Sequence, residues 1–199
     1  MSLIRQAERR TRVRSRKQRG QSLVEFAISS IVLLLLAMGL LDLSRAFYYA
    51  VNLQGAAREG ARHGAWFNTA ARLNNYLDDN DIMIAVNQSL QGAGLVGNQV
   101  KGNCLLPTDG NGYHSGPYPA SAYPTGSNAV NVYICYTFPG GNPQLGTMNL
   151  APTDNSWKLG DINVILLMNF QLITPFIQNI FGNGLHLGFN EHFTIQGKP

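Results

Sequence analysis

The chain has 199 residues, room for one domain and an appendage but not for two full domains. Only 13% of them are Asp, Glu, Lys or Arg, where about 25% is usual in a soluble globular chain. These totals, with two cysteines, exclude an acidic disordered protein, a coiled coil and a disulfide-dense miniprotein. The formal charge of +4 is unevenly held. Arg5, Arg9, Arg10, Arg12, Arg14, Arg16, Lys17 and Arg19 crowd the first 20 residues, with Glu8 the one acid among them. The remainder has seven bases against ten acids, a net of −3. A basic leader on a mildly acidic body gives little reason to expect a nucleic-acid partner.

Phe26 to Leu41 is a run of 16 residues without a formal charge. With Leu23, Val24 and Glu25 it approaches the roughly 20 residues that cross a bilayer as a helix. The bases before it and Asp42 after it place the N-terminus in the cytoplasm and the bulk outside. A buried core helix is the alternative, and a leader of this charge argues against it. Three targeting readings compete. A secretory signal peptide has only Ser44-x-Ala46 as a weak cleavage site, inside sequence that still reads as helix. Arg9-Arg10 suggests a twin-arginine signal, but polar and basic residues follow. The third is a leader cut before the membrane segment, and the junction favours it.

That junction reads Arg19-Gly20-Gln21-Ser22-Leu23-Val24-Glu25-Phe26-Ala27. A carboxylate within a membrane helix is costly and asks for a partner. A cut after Gly20 would make Gln21 the new terminus, and its amine is the natural cation for Glu25, within one chain or between neighbours. The alternative is that Glu25 snorkels at interface depth.

Beyond Asp42 no helix breaker occurs before Gly55, and Leu43, Ala46, Phe47, Ala50, Val51 and Leu53 keep an apolar stripe. One helix is predicted from about Ser22 to about Trp66, roughly 65–70 Å long. Ala56, Gly60 and Gly64 fall four apart, as do Ala57, Ala61 and Ala65. Such stripes admit the close approach of another backbone. Each interior glycine costs about 1 kcal/mol relative to alanine, and close packing against the extracytoplasmic sheet or a neighbouring helix is expected to offset it. A Gly-weakened, frayed helix end is the alternative.

The junction is similar to the processing site of the type IV pilin superfamily. Arg19 to Ala27 resembles the start of the TadE-like proteins, minor pilins or pseudopilins of the tight-adherence (Tad, Flp-type) pilus. Leu41-Asp42-Leu43-Ser44-Arg45-Ala46 and Gln54-Gly55-Ala56-Ala57-Arg58-Glu59-Gly60-Ala61-Arg62 resemble that family's next segments. The resemblance covers residues 19–65 well and the rest in outline. It implies cleavage between Gly20 and Gln21 by a prepilin peptidase, and an assembly role for Glu25 at mature position five. It also implies other pilin subunits and an assembly platform in the inner membrane as partners, and no cofactor. Many major type IV pilins begin with Phe after processing; this chain would begin with Gln21, which points to a minor subunit. The implied fold is α+β, a long N-terminal helix against a small antiparallel sheet. Its parts are a leader (1–20), a membrane helix (21–42), a stalk helix (43–66) and an extracytoplasmic domain (67–199).

Within that domain, Asp78-Asp79-Asn80-Asp81 before Ile82-Met83-Ile84-Ala85-Val86 predicts a capped helix ending near Gly92. The calcium-loop spacing is absent, so capping is preferred to a cation site. Residues 102–128 read as a long Gly/Pro/Tyr-rich surface loop; a structured loop with no ligand is preferred to an adhesive or subunit-contact role. Strands are predicted at 129–138, 162–172 and 185–195, with a short helix after Pro175. Cys104 and Cys135, the two cysteines, are expected to pair outside the cytoplasm, two free thiols being the alternative. His63, His114, His186 and His192 are scattered, and His186, Glu191 and His192 do not establish a metal site. No hydrolase, zinc-protease or phosphate-loop motif is present, so an enzyme is not expected. The alternative to an assembly subunit is a signal-anchored, ligand-binding protein that does not polymerise; an anchored hydrolase ranks last.

Overall fold

The computed structural model describes residues 4–102, 104, 118–137, 147–148, 160–182 and 184–196. The chain divides into two compact units, Met1–Leu43 and Ser44–Pro199. The first unit is helical. Helix α1 runs over Ile4–Ala65, so it begins well before the predicted Ser22. Residues 5–19 are mostly Arg, Lys, Gln, Ala and Glu, straight-chain helix formers that lose little rotamer freedom in a helix. Gly20 interrupts them too briefly to stop propagation. From Gly20 onward α1 is long and apolar enough to cross a membrane, and that apolar segment is not buried by the protein.

The second unit holds the rest of α1 and an α+β body. After α1 a two-stranded hairpin pairs β1 (Phe67–Asn68) with β2 (Leu73–Asn74). Arg72 takes a left-handed φ of 55° in its turn. Helix α2 (Asp79–Gln91) starts where the acidic cluster predicts, with the Asp78 carboxylate accepting from the Asn80 N–H. The main sheet is ordered β3 (Gly97–Gln99), β4 (Val130–Thr137), β6 (Asp161–Gln171) and β7 (Gly184–Thr194), and β5 (Thr147–Met148) also pairs with β4. All its pairings are antiparallel except β3 with β4, which is parallel. Helix α3 (Pro175–Phe181) opens with Pro at its first position, where no backbone N–H is needed, and leads into β7.

The sheet is buried unevenly. The near-continuous apolar run of β6 is covered on both faces, as a central strand requires. One face carries Val132, Ile134, Tyr136, Ile162, Val164, Leu166, Met168 and Phe170, packed with α1 and α2 in the main core. The other carries Tyr133, Cys135, Ile165 and Leu167 in a smaller core beneath Cys104 and Ala122. Within the second unit, the Ser44–Ala65 part of α1 lies along β6 and runs opposite to it. Tyr49 meets Phe170 at a ring separation of 5.7 Å, Gly60 faces Val164 and Gly64 faces Ile162.

Candidate processing and assembly site

Gly20 and Gln21 lie within α1, exposed, with open space where a Cβ on Gly20 would stand. One turn on, the Gln21 side-chain amide donates to Glu25 Oε1 at 3.2 Å. Leu23, Val24 and Phe26 around them are more than half exposed. The three junction residues therefore share an accessible stretch of helix, and Glu25 points where residue 21 can reach it. Further along, Asp42 is buried, and the Arg45 guanidinium sits 5.2 Å from the Phe170 ring centre.

The small-residue stripes lie in the second unit. Ala56, Ala57 and Ala61 are fully buried, and Gly60 and Gly64 are buried beside them. The space beside the two glycines is filled by side chains of α2 and β6. A Cβ on Gly60 would come within 2.5 Å of Val86 Cγ2, and one on Gly64 would overlap the Ile162 δ-methyl and stand 3.0 Å from Ile82 Cδ1. The stripe is thus a socket for branched side chains from α2 and β6. Its polar rim joins helix to sheet: Arg58 pairs with Glu191 at 3.2 Å, and the Gln54 amide donates to the same carboxylate oxygen. At the helix end the Gln196 N–H donates to the Ala65 carbonyl.

Cys104 and Cys135 form a disulfide, with 5.9 Å between their Cα atoms. It fastens the start of the Gly/Pro/Tyr-rich stretch to β4. Much of that stretch, including Tyr113 and His114, lies outside the described residues. The part from Tyr118 to Tyr123 folds over the smaller core. Tyr118 donates to Asn190 Oδ1 at 3.1 Å, Tyr133 donates to the Ala122 carbonyl, and Tyr123 stacks on His186 at 4.1 Å. Burial pushes the Tyr118 phenol well above its ordinary range, with Tyr123 adding to the shift. Tyr118 and Tyr123 are partly buried against the smaller core by these contacts.

Asp79 was not foreseen as a core residue. It is 6% exposed, accepts from Gln99 Nε2 at 2.6 Å and accepts from the Tyr136 hydroxyl. Burial first, and the Asp79 carboxylate second, hold the Tyr136 phenol far above its usual range. The cluster Asp78 to Asp81 divides between a cap and this internal bond. Its sequence signal was limited to the capping position. His186, Glu191 and His192 do not converge. Alternate strand residues face opposite ways, so the two histidines share one face of β7 and Glu191 lies on the other with Arg58. Among the described residues no group of three or more His, Cys, Asp or Glu side chains is placed to hold a metal ion.

Residues 20–62 match the family model described as TadE-like protein, the family that the junction resembles. The match begins at Gly20 and ends at Arg62, so it takes in the Gly20–Gln21 bond, the apolar segment and the first members of the small-residue stripes, Ala56, Ala57, Gly60 and Ala61, but not Gly64 or Ala65. No curated protein and no solved structure matches the chain.

Proposed function

We propose that this chain is a minor pilin or pseudopilin of a tight-adherence pilus or a related secretion system. Its leader is removed after Gly20 by a prepilin peptidase at the cytoplasmic face. The family match supports the broader part of this reading, a membrane-anchored protein associated with that pilus and structural in kind. The observation that carries the finer part is the hydrogen bond from Gln21 to Glu25 on an exposed helix immediately after Gly20. In the uncut chain a neutral amide holds the carboxylate. After cleavage residue 21 also bears an ammonium group, so Glu25, within the chain or on a neighbour, meets an opposite charge and no longer a neutral amide alone. An isolated carboxylate drawn into a bilayer or a helix bundle is costly, so processing and assembly are coupled through this one side chain.

The leader's helix bears on the cut itself. The Gly20–Gln21 bond lies inside α1, about a quarter of the way along it, so the peptidase has to unwind the helix locally. Glycine makes that about 1 kcal/mol easier than alanine would. The apolar segment then stores the processed subunit in the membrane.

Intact-mass measurement of the membrane-extracted protein tests the reading. A product beginning at Gln21 is expected. Retention of residues 1–20 in cells with an active prepilin peptidase would refute it, and would favour an anchored protein that does not polymerise. Glu25→Ala is expected to leave the processed mass unchanged and to reduce pilus number sharply. Normal piliation in that variant would remove the role given to Glu25.

A further inference from the structure

β6 gives the second unit a long axis. At its C-terminal end Phe170 meets Tyr49 and Arg45 of α1, and near its start Ile162 meets Gly64. Three connections lie at or past the Phe170 end. Gln171 and Gly184 form the last rung of β6 and β7, so the residues that join them, Ile173 and α3 included, stand beyond the sheet. The turn from α2 into β3 lies at the same end: the Tyr48 hydroxyl donates to the Gly92 carbonyl at 2.8 Å, and Gly97 is level with Val130 and Met168. So does the approach to β4, where the Asn128 N–H donates to the Asn169 carbonyl.

Charge is sorted along this axis. Residues 82–100 and 162–190 contain no Asp, Glu, Lys or Arg. Glu191 pairs with Arg58 and lies opposite Val164, and Asp79 bonds Tyr136, which lies opposite Ile162, so these charges gather toward the far end. Among the described residues, with histidine counted as neutral, Arg45 is the one formal charge at the Phe170 end. That end also exposes large apolar groups. Phe47, Val96, Ile173 and Ile180 are each at least 60% exposed, and Tyr48 is half exposed. The same segments send Tyr49, Leu95 and Ile177 into the main core, which fixes them in place and leaves the outward set uncovered.

We propose that this uncharged end of the body seats on the bilayer surface, with Phe47, Val96, Ile173 and Ile180 in the interfacial layer of neutral phospholipid. Exposed apolar patches of this kind mark protein or membrane contacts. Lipid is the nearer occupant here, because the second unit begins at Ser44, the residue directly after the apolar unit, and Arg45 and Phe47 follow at once. Tyrosines concentrate where a bilayer meets water, and Tyr48 and Tyr49 stand at this end. Removal of Asp, Glu and Lys from it avoids the cost of drawing charge toward hydrocarbon. With no basic cluster, the contact draws on apolar area and needs no anionic lipid. The proposal rests on the membrane-anchored part of the reading above and not on cleavage after Gly20. A seated body adds to the work of drawing the subunit out of the membrane.

The test uses the full chain in phosphatidylcholine vesicles, with a bimane label attached in turn at Ile173→Cys, Ile180→Cys and Thr69→Cys. Thr69 is exposed in the β1–β2 turn, past the opposite end of the body. Nitroxide on the lipid headgroup is expected to quench positions 173 and 180 severalfold more than position 69. Equal quenching at the three positions would overturn the proposal. So would a blue-shifted emission at 173 and 180 that headgroup nitroxide does not quench and that is lost as the chain is diluted in lipid, since a second copy would then be the cover. Adding phosphatidylglycerol is expected to change little, and contact that appears only with this anionic lipid would overturn the apolar basis. Ile180→Glu is expected to keep its thermal midpoint in detergent, the side chain being exposed, and to lower the quenching at position 173 severalfold. A folded Ile180→Glu variant with unchanged quenching would overturn the proposal; if it does not fold, the comparison of positions 173, 180 and 69 decides. A label at Leu33→Cys with nitroxide on the acyl chain reads the anchor separately. Quenching there without quenching at 173 and 180 removes the seating and leaves the anchored reading standing, and no quenching at Leu33→Cys removes both.

Discussion

The two halves of α1 share one backbone geometry and obey opposite rules. Between Gly20 and Leu43 the side chains are large and uncovered: Phe26, Leu33 and Leu36 are 73%, 65% and 66% exposed. Between Ser44 and Ala65 the buried ones are mostly small, and Ala56, Ala57 and Ala61 are fully covered. Apolar size in the first half is left largely uncovered by the protein, and its natural solvent is hydrocarbon. In the second half bulk is supplied by the partners, Ile82, Val86, Ile162 and Val164, and α1 contributes the space they fill. Hydrophobicity alone would not separate these roles. The size of the side chain at each buried position does.

Swapping the demands breaks the comparison in a measurable way. Leu33→Arg puts a charge in the middle of the apolar segment, at a cost to membrane insertion of about 2.5–3.5 kcal/mol. The membrane-bound fraction is expected to fall severalfold or more, while the body's thermal midpoint in detergent stays put. A drop in that midpoint would mean that the apolar half supports the body. Gly64→Leu is the converse. It drives a side chain into Ile162 and Ile82, and overpacking of this kind costs about 1–3 kcal/mol. That lowers the midpoint by roughly 2–4 °C per kcal/mol for a body of this size. Insertion is expected to be unchanged. An unshifted midpoint would show that Ile162 moves aside freely and that the socket is not tight.

What was readable in the sequence follows from how local each cause is. The apolar segment and the junction at Gly20 are written in contiguous residues, and so are the cap of α2 and the alternation of β4. The short pairings were not legible. β3 is three residues long and is held by the Asn87 side chain and its register with β4, neither of which is local. The β1–β2 hairpin leans on the bond from the Asn75 N–H to the Trp66 carbonyl. The small-residue stripes announced close packing against a sheet or helix but not which side chains would enter them, because the methyl groups that fill them come from 18 to about 100 residues away along the chain. Asp79 looked like one acid of a capping cluster, and its burial depends on Tyr136, which is 57 residues distant. Pairing of Cys104 with Cys135 needed no geometry, since two cysteines allow one bridge.

The smallest effect lies near the end of α1's buried half, on its outer side. The Glu59 carboxylate forms an ion pair with Arg62, three residues on. The hydrogen bond from Arg62 holds the Glu59 pKa below its ordinary value, and partial burial works against it. A lowered folded-state value means that the pair stabilises above the unfolded carboxylate's range, and that this contribution is lost as pH falls through the folded value. Both side chains are about two-fifths exposed, at 43% and 40%, so solvent screens most of the attraction. Glu59→Gln is therefore expected to lower the midpoint by about 1 °C or less at pH 7. The difference from the natural chain should vanish in acid below the folded carboxylate's lowered range, and at neutral pH in molar salt, where the Debye length is about 3 Å. Arg62 retains two other partners in that variant, the Trp66 ring at 5.1 Å and the carbonyl end of the helix. Arg62→Ala should accordingly shift the midpoint more than Glu59→Gln does. Equal shifts would mean that the ion pair is all that Arg62 contributes, and the outer face of the stalk would then be held no more firmly than any solvated helix surface.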